Sequence, residues 1–437
     1  MKRNLTALAV VLVIYMAHGG LPRVAAQSPA PDEAAAHFEP YHLEPAGAAP
    51  DTVSVRITGG RVDENVYLPL AEAQIRRQIR IQGGTRYIIS MNSVNYVDPP
   101  RPGGTGTLTI PVKIWGAGYR TVRKDVIVRV ENMHVEGFAS PDRIYVSNSP
   151  ESLTHSGELL SDTLHHGTSS RFMIHHRNAT ERNLNFVFFI SNPNGKTAVV
   201  RVIGDILGVW NKELQAGHDA TERFMKAERD GVGYLLEVPA GGYATLKKFA
   251  FEPGQIVSGL CEVQVLRGQG IDFSVRVLEP YLPDKAPREE IGDFYSNRAH
   301  GYFATPLVSL KSKYVIGDRW KFLSVGDDPL PPLIPDSPPL YGNYGVTYDI
   351  TVSVENPGIR TETVDIKFAP AGGVAMGTFF VDDAFTQTGI VKPPHKTMLH
   401  SVSVDPGETR HVRLVTIPES GSYYPVRIIV GQRLKGY

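Results

Sequence analysis

Cysteine is nearly absent from this 437-residue chain: Cys261 stands alone, so no disulfide can form within it. Neither charge is in surplus. Lys and Arg number 45 against 45 Asp and Glu, which excludes the basic footprint of a protein that binds nucleic acid or an anionic membrane surface. Beyond the N-terminal run, no apolar stretch reaches the roughly 18 residues that cross a bilayer as a helix. The signatures G-x-S-x-G, H-E-x-x-H and C-x-x-C do not occur, which removes the simplest routes to a serine hydrolase, a zinc protease or a dithiol redox enzyme. Gly195-Lys196-Thr197 looks like the end of a phosphate-binding loop, yet Ile190 occupies the place of the loop's first Gly. It also follows a hairpin turn and does not open a helix.

What is present begins with an export signal. Lys2 and Arg3 precede the apolar run Leu5 to Met16, and Val24, Ala25 and Ala26 place small residues before Gln27. This pattern predicts a signal peptide over 1–26 and a mature chain exported to the periplasm or the cell exterior. Residues 27–50, rich in Ala, Pro and Glu without periodicity, read as a disordered leader. Gly (42) and Pro (33) exceed average usage and call for many turns. Between the turns apolar residues alternate, as in Val53/Val55/Ile57, Val126/Val128/Val130, Phe273/Val275/Val277 and Ile350/Val352/Val354. A period of two means strands with one buried and one wet face, the pattern of antiparallel sheets packed in pairs. Cys261 lies in such a segment and reads as a structural thiol. Only 70–80 and 220–229 favour a helix, each of one or two turns.

The expected fold is therefore all-β: tandem antiparallel, Ig-like β-sandwich modules with a smaller N-terminal β domain. Two turn signals suggest one module used twice. Asn192-Pro193-Asn194-Gly195 and Asn356-Pro357-Gly358 each follow a strand, while Val238-Pro239-Ala240-Gly241 and Val404-Asp405-Pro406-Gly407 each precede one. Pro193 and Pro357 are 164 residues apart, Gly241 and Gly407 are 166, and such turns fix hairpin register. The boundaries expected are an N-terminal β domain at 51–137, a first module at 138–280, a Pro-rich connector with a docking strand at 281–345 and a second module at 346–437.

The runs Asn148-Ser149-Pro150-Glu151, Gly157-Glu158-Leu159-Leu160, Phe172 to His176, Ser191-Asn192-Pro193 and Tyr341-Gly342-Asn343-Tyr344-Gly345 resemble those of a group of exported bacterial proteins. That group is familiar mainly from cyanobacteria and has no known function. The resemblance covers residues 142–430 through short motifs. It implies export and a bacterial source, and it carries no assigned active site.

Six of the 14 histidines fall at His134, His155, His165, His166, His175 and His176. Neighbours on a strand point to opposite faces, so each His pair offers one imidazole to a shared site. His165 with His175, or His166 with His176, near His155 or Asp162, would suit zinc or copper; bonded to backbone, the same residues would be structural. The acid pairs Asp327-Asp328 and Asp382-Asp383 read as solvated turn acids. Tyr295, Asn297, Arg298 and Tyr302, together with Tyr341 and Tyr344, interleave rings with polar groups and are candidate binding residues for a sugar or a partner surface. As cover over a sandwich core they would be structural. Asn178-Ala179-Thr180 is a glycosylation sequon, relevant only in a eukaryotic host. The function expected is that of a non-enzymatic envelope or extracellular protein binding cell-surface polysaccharide or protein. No catalytic residue, cofactor, nucleic-acid partner or membrane span in the mature chain is expected. The alternative is a metal-dependent or hydrolytic exported enzyme using the His155–His176 cluster.

Overall fold

The computed structural model describes residues 43–60, 62–94, 99–135, 140–148, 151–279, 301–304, 306–333 and 338–433; the expected signal peptide and residues 27–42 lie outside them. By its contacts the chain divides into residues 1–44 and a compact unit over 45–437. Residues 45–50, assigned by composition to a disordered leader, are built into that unit. Ala46 is fully buried, and Gly47–Ala48 pairs antiparallel with Arg80–Ile81. The approach is so close that a Cβ on Gly47 would meet Arg80 O at 2.3 Å. A two-residue pairing has no periodicity to read, which is why composition misplaced it.

The unit is all-β, with two helices among the described residues. One sheet runs Gly301–Ala304, Arg143–Ser147, Ser169–Asn178, Ile256–Arg267, Ala198–Trp210, Gly233–Val238, Thr52–Thr58, Val122–Asn132, Thr105–Trp115, Arg86–Ile89, with Ser152–Leu153 added beside Ser169–Asn178. The N-terminal region and the first sandwich thus share an unbroken sheet, joined where Gly233 opposes Thr58 and Leu235 opposes Arg56. Arg201, fully buried at this seam, donates through Nη2 to Gly231 O (2.8 Å). Helix α1 (Glu64–Gln78) covers the N-terminal part with Tyr67, Leu68, Ala71 and Ile75. It starts earlier than the 70–80 expected because Asp63 caps it, accepting from Asn65 N at 2.8 Å. Pro69, which marks a helix boundary in sequence, sits inside it.

The first sandwich pairs part of that sheet with Tyr243–Phe251, Leu184–Ser191, Ile271–Leu278 and Gly157–Leu164. In the second, Leu307–Val315, Thr347–Glu355, Thr409–Thr416, Thr378–Val381 and Ala384–Gln387 face Thr397–Val404, Glu362–Pro370, Val426–Gln432 and Lys321–Val325. Strand for strand the two orders are the same, down to a parallel edge strand on each: Arg143–Ser147 beside Ser169–Asn178, and Leu307–Val315 beside Thr347–Glu355. Within each sandwich the eight antiparallel strands have the order of a double Greek key, or jelly roll. This order corrects the register read from turn signals. Asn356 ends the strand equivalent to the one ended by Asn178, not by Asn192, and Pro406-Gly407 corresponds to Pro253-Gly254.

Helix α2 (Glu213–Asp230) is inserted where the second sandwich has only the Asp382-Asp383 turn, both residues at positive φ between Val381 and Ala384. It is longer than the 220–229 expected, since Gly217 and His218 hide its first half. Phe224 and Met225 of α2 share one apolar core with Ile144, Met173 and Leu260 of the first sandwich and Tyr348, Phe379 and Ile417 of the second. Consequently Ser169–Asn178 and Ile256–Arg267 are buried on both faces. Among the described residues no helix is long and apolar enough to cross a membrane.

Candidate functional site

Polar groups on the doubly covered face of Ser169–Asn178 have to find partners at the junction, because buried polar groups are costly when unpaired. Arg171, 1 % exposed, reaches Glu262 (2.8 Å), Glu228 of α2 (2.7 Å), Thr347 Oγ1 (2.7 Å) and Gly345 O (3.0 Å). His175, two pleats further on the same face, donates or accepts through Nδ1 at Ser258 Oγ (3.0 Å).

Beyond His175 the junction opens into a cleft of about 400 Å³. Asn148, Glu151 and His175 come from the first sandwich, Glu213 and Leu214 from the N-terminus of α2, and Tyr344, Gly373 and Ser420 to Tyr423 from the second. The loop at 420–422 is pressed onto α2: a Cβ on Gly217 would lie 1.7 Å from Ser420 O. Tyr344 donates to Ser422 O (3.0 Å) and packs edge-on against Tyr424. Tyr423 leaves 53 % of its surface to solvent.

One donor atom each from Glu151, His175 and Glu213 lie within 4.8 Å of one another. His175 Nε2 is 3.8 Å from Glu151 Oε1, too long for a hydrogen bond, and is buried with no hydrogen-bond partner. Burial pushes the His175 imidazole down to about 4, against the pull of Glu213, so the ring is neutral at physiological pH. Glu151 is pushed up to about 7, chiefly by its hydrogen bond with the Glu213 carboxylate and then by burial, with Arg177 opposing. Two like carboxylates in one site hold a proton between them.

The four histidines read as metal candidates do not converge. His166 bridges to Val265 while His175 opposes Ser258, seven residues along the same strand and so about 23 Å apart at 3.3 Å per residue. His165 and His166 are exposed. His176 faces the other side of the sheet, with Nε2 2.8 Å from Ser147 Oγ. Of the binding candidates, Tyr295, Asn297 and Arg298 lie outside the described residues. Tyr302 is packed against Tyr145 at 5.5 Å in the first sandwich, Tyr341 is 69 % exposed on a short turn, and Tyr344 lines the cleft. The Asn178 sequon is closed to modification, since its fully buried amide donates to Arg182 O (2.8 Å) and Phe251 O (3.1 Å). Sequence reading missed Glu151 and Glu213 as a pair: they are 62 residues apart, and only tertiary folding brings them together.

No protein-family model matches the chain, and no curated protein does. Among solved structures, the tandem CBM22-1-CBM22-2 domain of Xyn10C from Paenibacillus barcinonensis aligns at 11% identity over 65% of this chain and 92% of that one, with a TM-score of 0.15. The PBSX exported protein XepA aligns at 8% identity over 64% and 86%, with a TM-score of 0.16. Lac15 from a marine microbial metagenome aligns at 10% identity over 85% and 94%, with a TM-score of 0.13. Superpositions this loose carry no functional argument.

Proposed function

We propose that the protein is an exported, non-enzymatic binding protein of the cell envelope or exterior, built on two copies of one sandwich plan, that holds a polysaccharide chain in the cleft between them. The cleft is the observation that supports this. Its volume of about 400 Å³ falls within the roughly 300–1,000 Å³ of small-ligand sites. It also sets the half-exposed Tyr423 ring beside the Asn148 amide and the Glu151 and Glu213 carboxylates. A flat ring accepts the apolar face of a pyranose, and the amide and carboxylates serve its hydroxyls. The leader pattern and the resemblance to exported bacterial proteins support the export half of the reading.

The test is retention of the mature protein on cell-wall, polysaccharide and outer-envelope fractions, followed by quantitative binding to the fraction that holds it. Tyr423→Ala is expected to weaken binding at least about tenfold, as loss of an anchoring ring does. Absence of retention on every fraction ends the reading.

A further inference from the structure

We propose that Glu151, His175 and Glu213 form a binding site for a divalent transition-metal ion of the zinc class within the cleft. Two independent observations meet here. The three donor atoms lie within 4.8 Å of one another. In addition, His175, only 2 % exposed, aims an unpartnered Nε2 at the two carboxylates. A buried ring nitrogen with no partner is rare and calls for an occupant. Nδ1 and Ser258 Oγ are 3.0 Å apart; in the tautomer whose Nδ1–H donates to that hydroxyl, Nε2 presents its lone pair to the same point as the carboxylate oxygens. The ring nitrogen and the two carboxyl groups then face one another, and an ion bound there would displace the proton that the carboxyl groups share. Arg177, whose charge Glu151 feels, directs its Nε instead to Gly254 O (3.5 Å).

The donor set selects the ion. An imidazole nitrogen disfavours calcium and magnesium, which take oxygen ligands. The absence of a thiolate or thioether donor disfavours copper(I). One nitrogen and two carboxylate oxygens suit zinc, whose ligands sit about 2.0–2.2 Å from the ion. Ser258 is the outer partner that fixes the ring's tautomer and orientation, as such partners do for metal-bound histidines. Glu151, with 54 % of its side chain exposed, is the arm free to close on the ion from the solvent side. The inference does not rest on the polysaccharide reading, because the ion is held by the chain alone.

The experiment titrates zinc chloride alone into the chelator-treated mature chain, made without an affinity tag, by calorimetry. Cobalt(II), whose visible bands report coordination, serves as the spectroscopic probe. One ion per chain is expected. Glu151→Gln and Glu213→Gln should each weaken binding at least about tenfold, while His165→Ala/His166→Ala leaves it unchanged. Glu151 is largely exposed, so its variant keeps the fold even if a substitution at His175 does not, and an unchanged unfolding midpoint verifies this. No saturable uptake, or uptake that survives Glu151→Gln, overturns the assignment. So does uptake lost only in the His165/His166 variant.

Discussion

His218 Nδ1 of α2 lies 2.9 Å from Glu419 Oε2 of the second sandwich, and both side chains are buried at the junction. Thr378 Oγ1 donates to the other Glu419 oxygen (2.7 Å), and Gln387 Nε2 sits 3.0 Å from His218 Nε2. Burial alone would lower the His218 pKa, but the hydrogen bond and charge of Glu419, helped by Asp219 and Glu222, raise it above 6.5. A group whose folded pKa is raised stabilises fully below its unfolded value and loses that contribution as pH rises through the folded one. His218→Gln is therefore expected to cost most below pH 6.5, with the gap to wild type shrinking as pH climbs. Urea unfolding across pH 5.5 to 9 reads this difference directly. A pH-independent gap would mean that the pair is not charged.

Arg171 holds three elements at once, and its two carboxylate partners depend on it. Burial pushes the Glu228 carboxyl up, Glu262 adds to this, and Arg171 opposes both. Removing one partner of a buried ion pair leaves the other's charge uncompensated, at about 3–5 kcal/mol. Arg171→Met is expected to destabilise by that amount. Adding Glu262→Gln should return part of the loss, because a neutral amide tolerates burial where a carboxylate does not. Denaturant unfolding of the single and double variants closes the cycle.

Gly217 inverts the usual expectation for glycine in a helix. At an exposed site Gly→Ala gains about 1 kcal/mol, but here the added carbon would lie 1.7 Å from Ser420 O. Gly217→Ala is expected to cost about 1–3 kcal/mol through overpacking and to displace the 420–422 loop that lines the cleft. A rise in thermal midpoint would contradict the packing described between α2 and the second sandwich.

Alternation in the sequence was enough to identify strands, because a side chain's face is set by local pleat geometry. It could not show that the polar face carrying Arg171, His175 and Glu262 is covered. Nothing near Ser169–Asn178 reveals that α2 and the second sandwich will lie on top of it. His175 was legible as a candidate ligand from its type and neighbours, but its partners arrive from elsewhere. Glu151 is brought alongside by the backbone bond from Arg177 N to Glu151 O (2.6 Å), and Glu213 by the entry of α2. The turn signals carried the real chemistry at the wrong register, since a Pro-Gly turn marks a hairpin without saying which one.

The buried asparagines that close these turns share one set of side-chain bonds, which Asn192 also makes to Lys196 O (2.8 Å) and Val238 O (3.0 Å). Asn356 Nδ2 donates to Arg360 O and Val404 O (both 2.8 Å), and its Oδ1 accepts from Gly358 N (3.0 Å). Asn178 donates to Arg182 O and Phe251 O and accepts from Thr180 N (3.0 Å). The main chains match as well: Gly407 N donates to Asn356 O (2.8 Å) and Gly254 N to Asn178 O (2.7 Å). Each amide ties an exposed turn carbonyl, Arg182 O or Arg360 O, to a buried one, Phe251 O or Val404 O. Alanine at either position removes both donated bonds, and the buried bond to Phe251 O or Val404 O is the costly one, at about 1–3 kcal/mol if that carbonyl is left unpaired. Asn178→Ala and Asn356→Ala are expected to cost similar amounts. Aspartate should rescue neither, because it keeps the acceptor for the turn N–H and loses both donors. Unfolding midpoints of the four variants decide the point, and a tolerated aspartate at either site would show that the donated bonds are not what holds these turns.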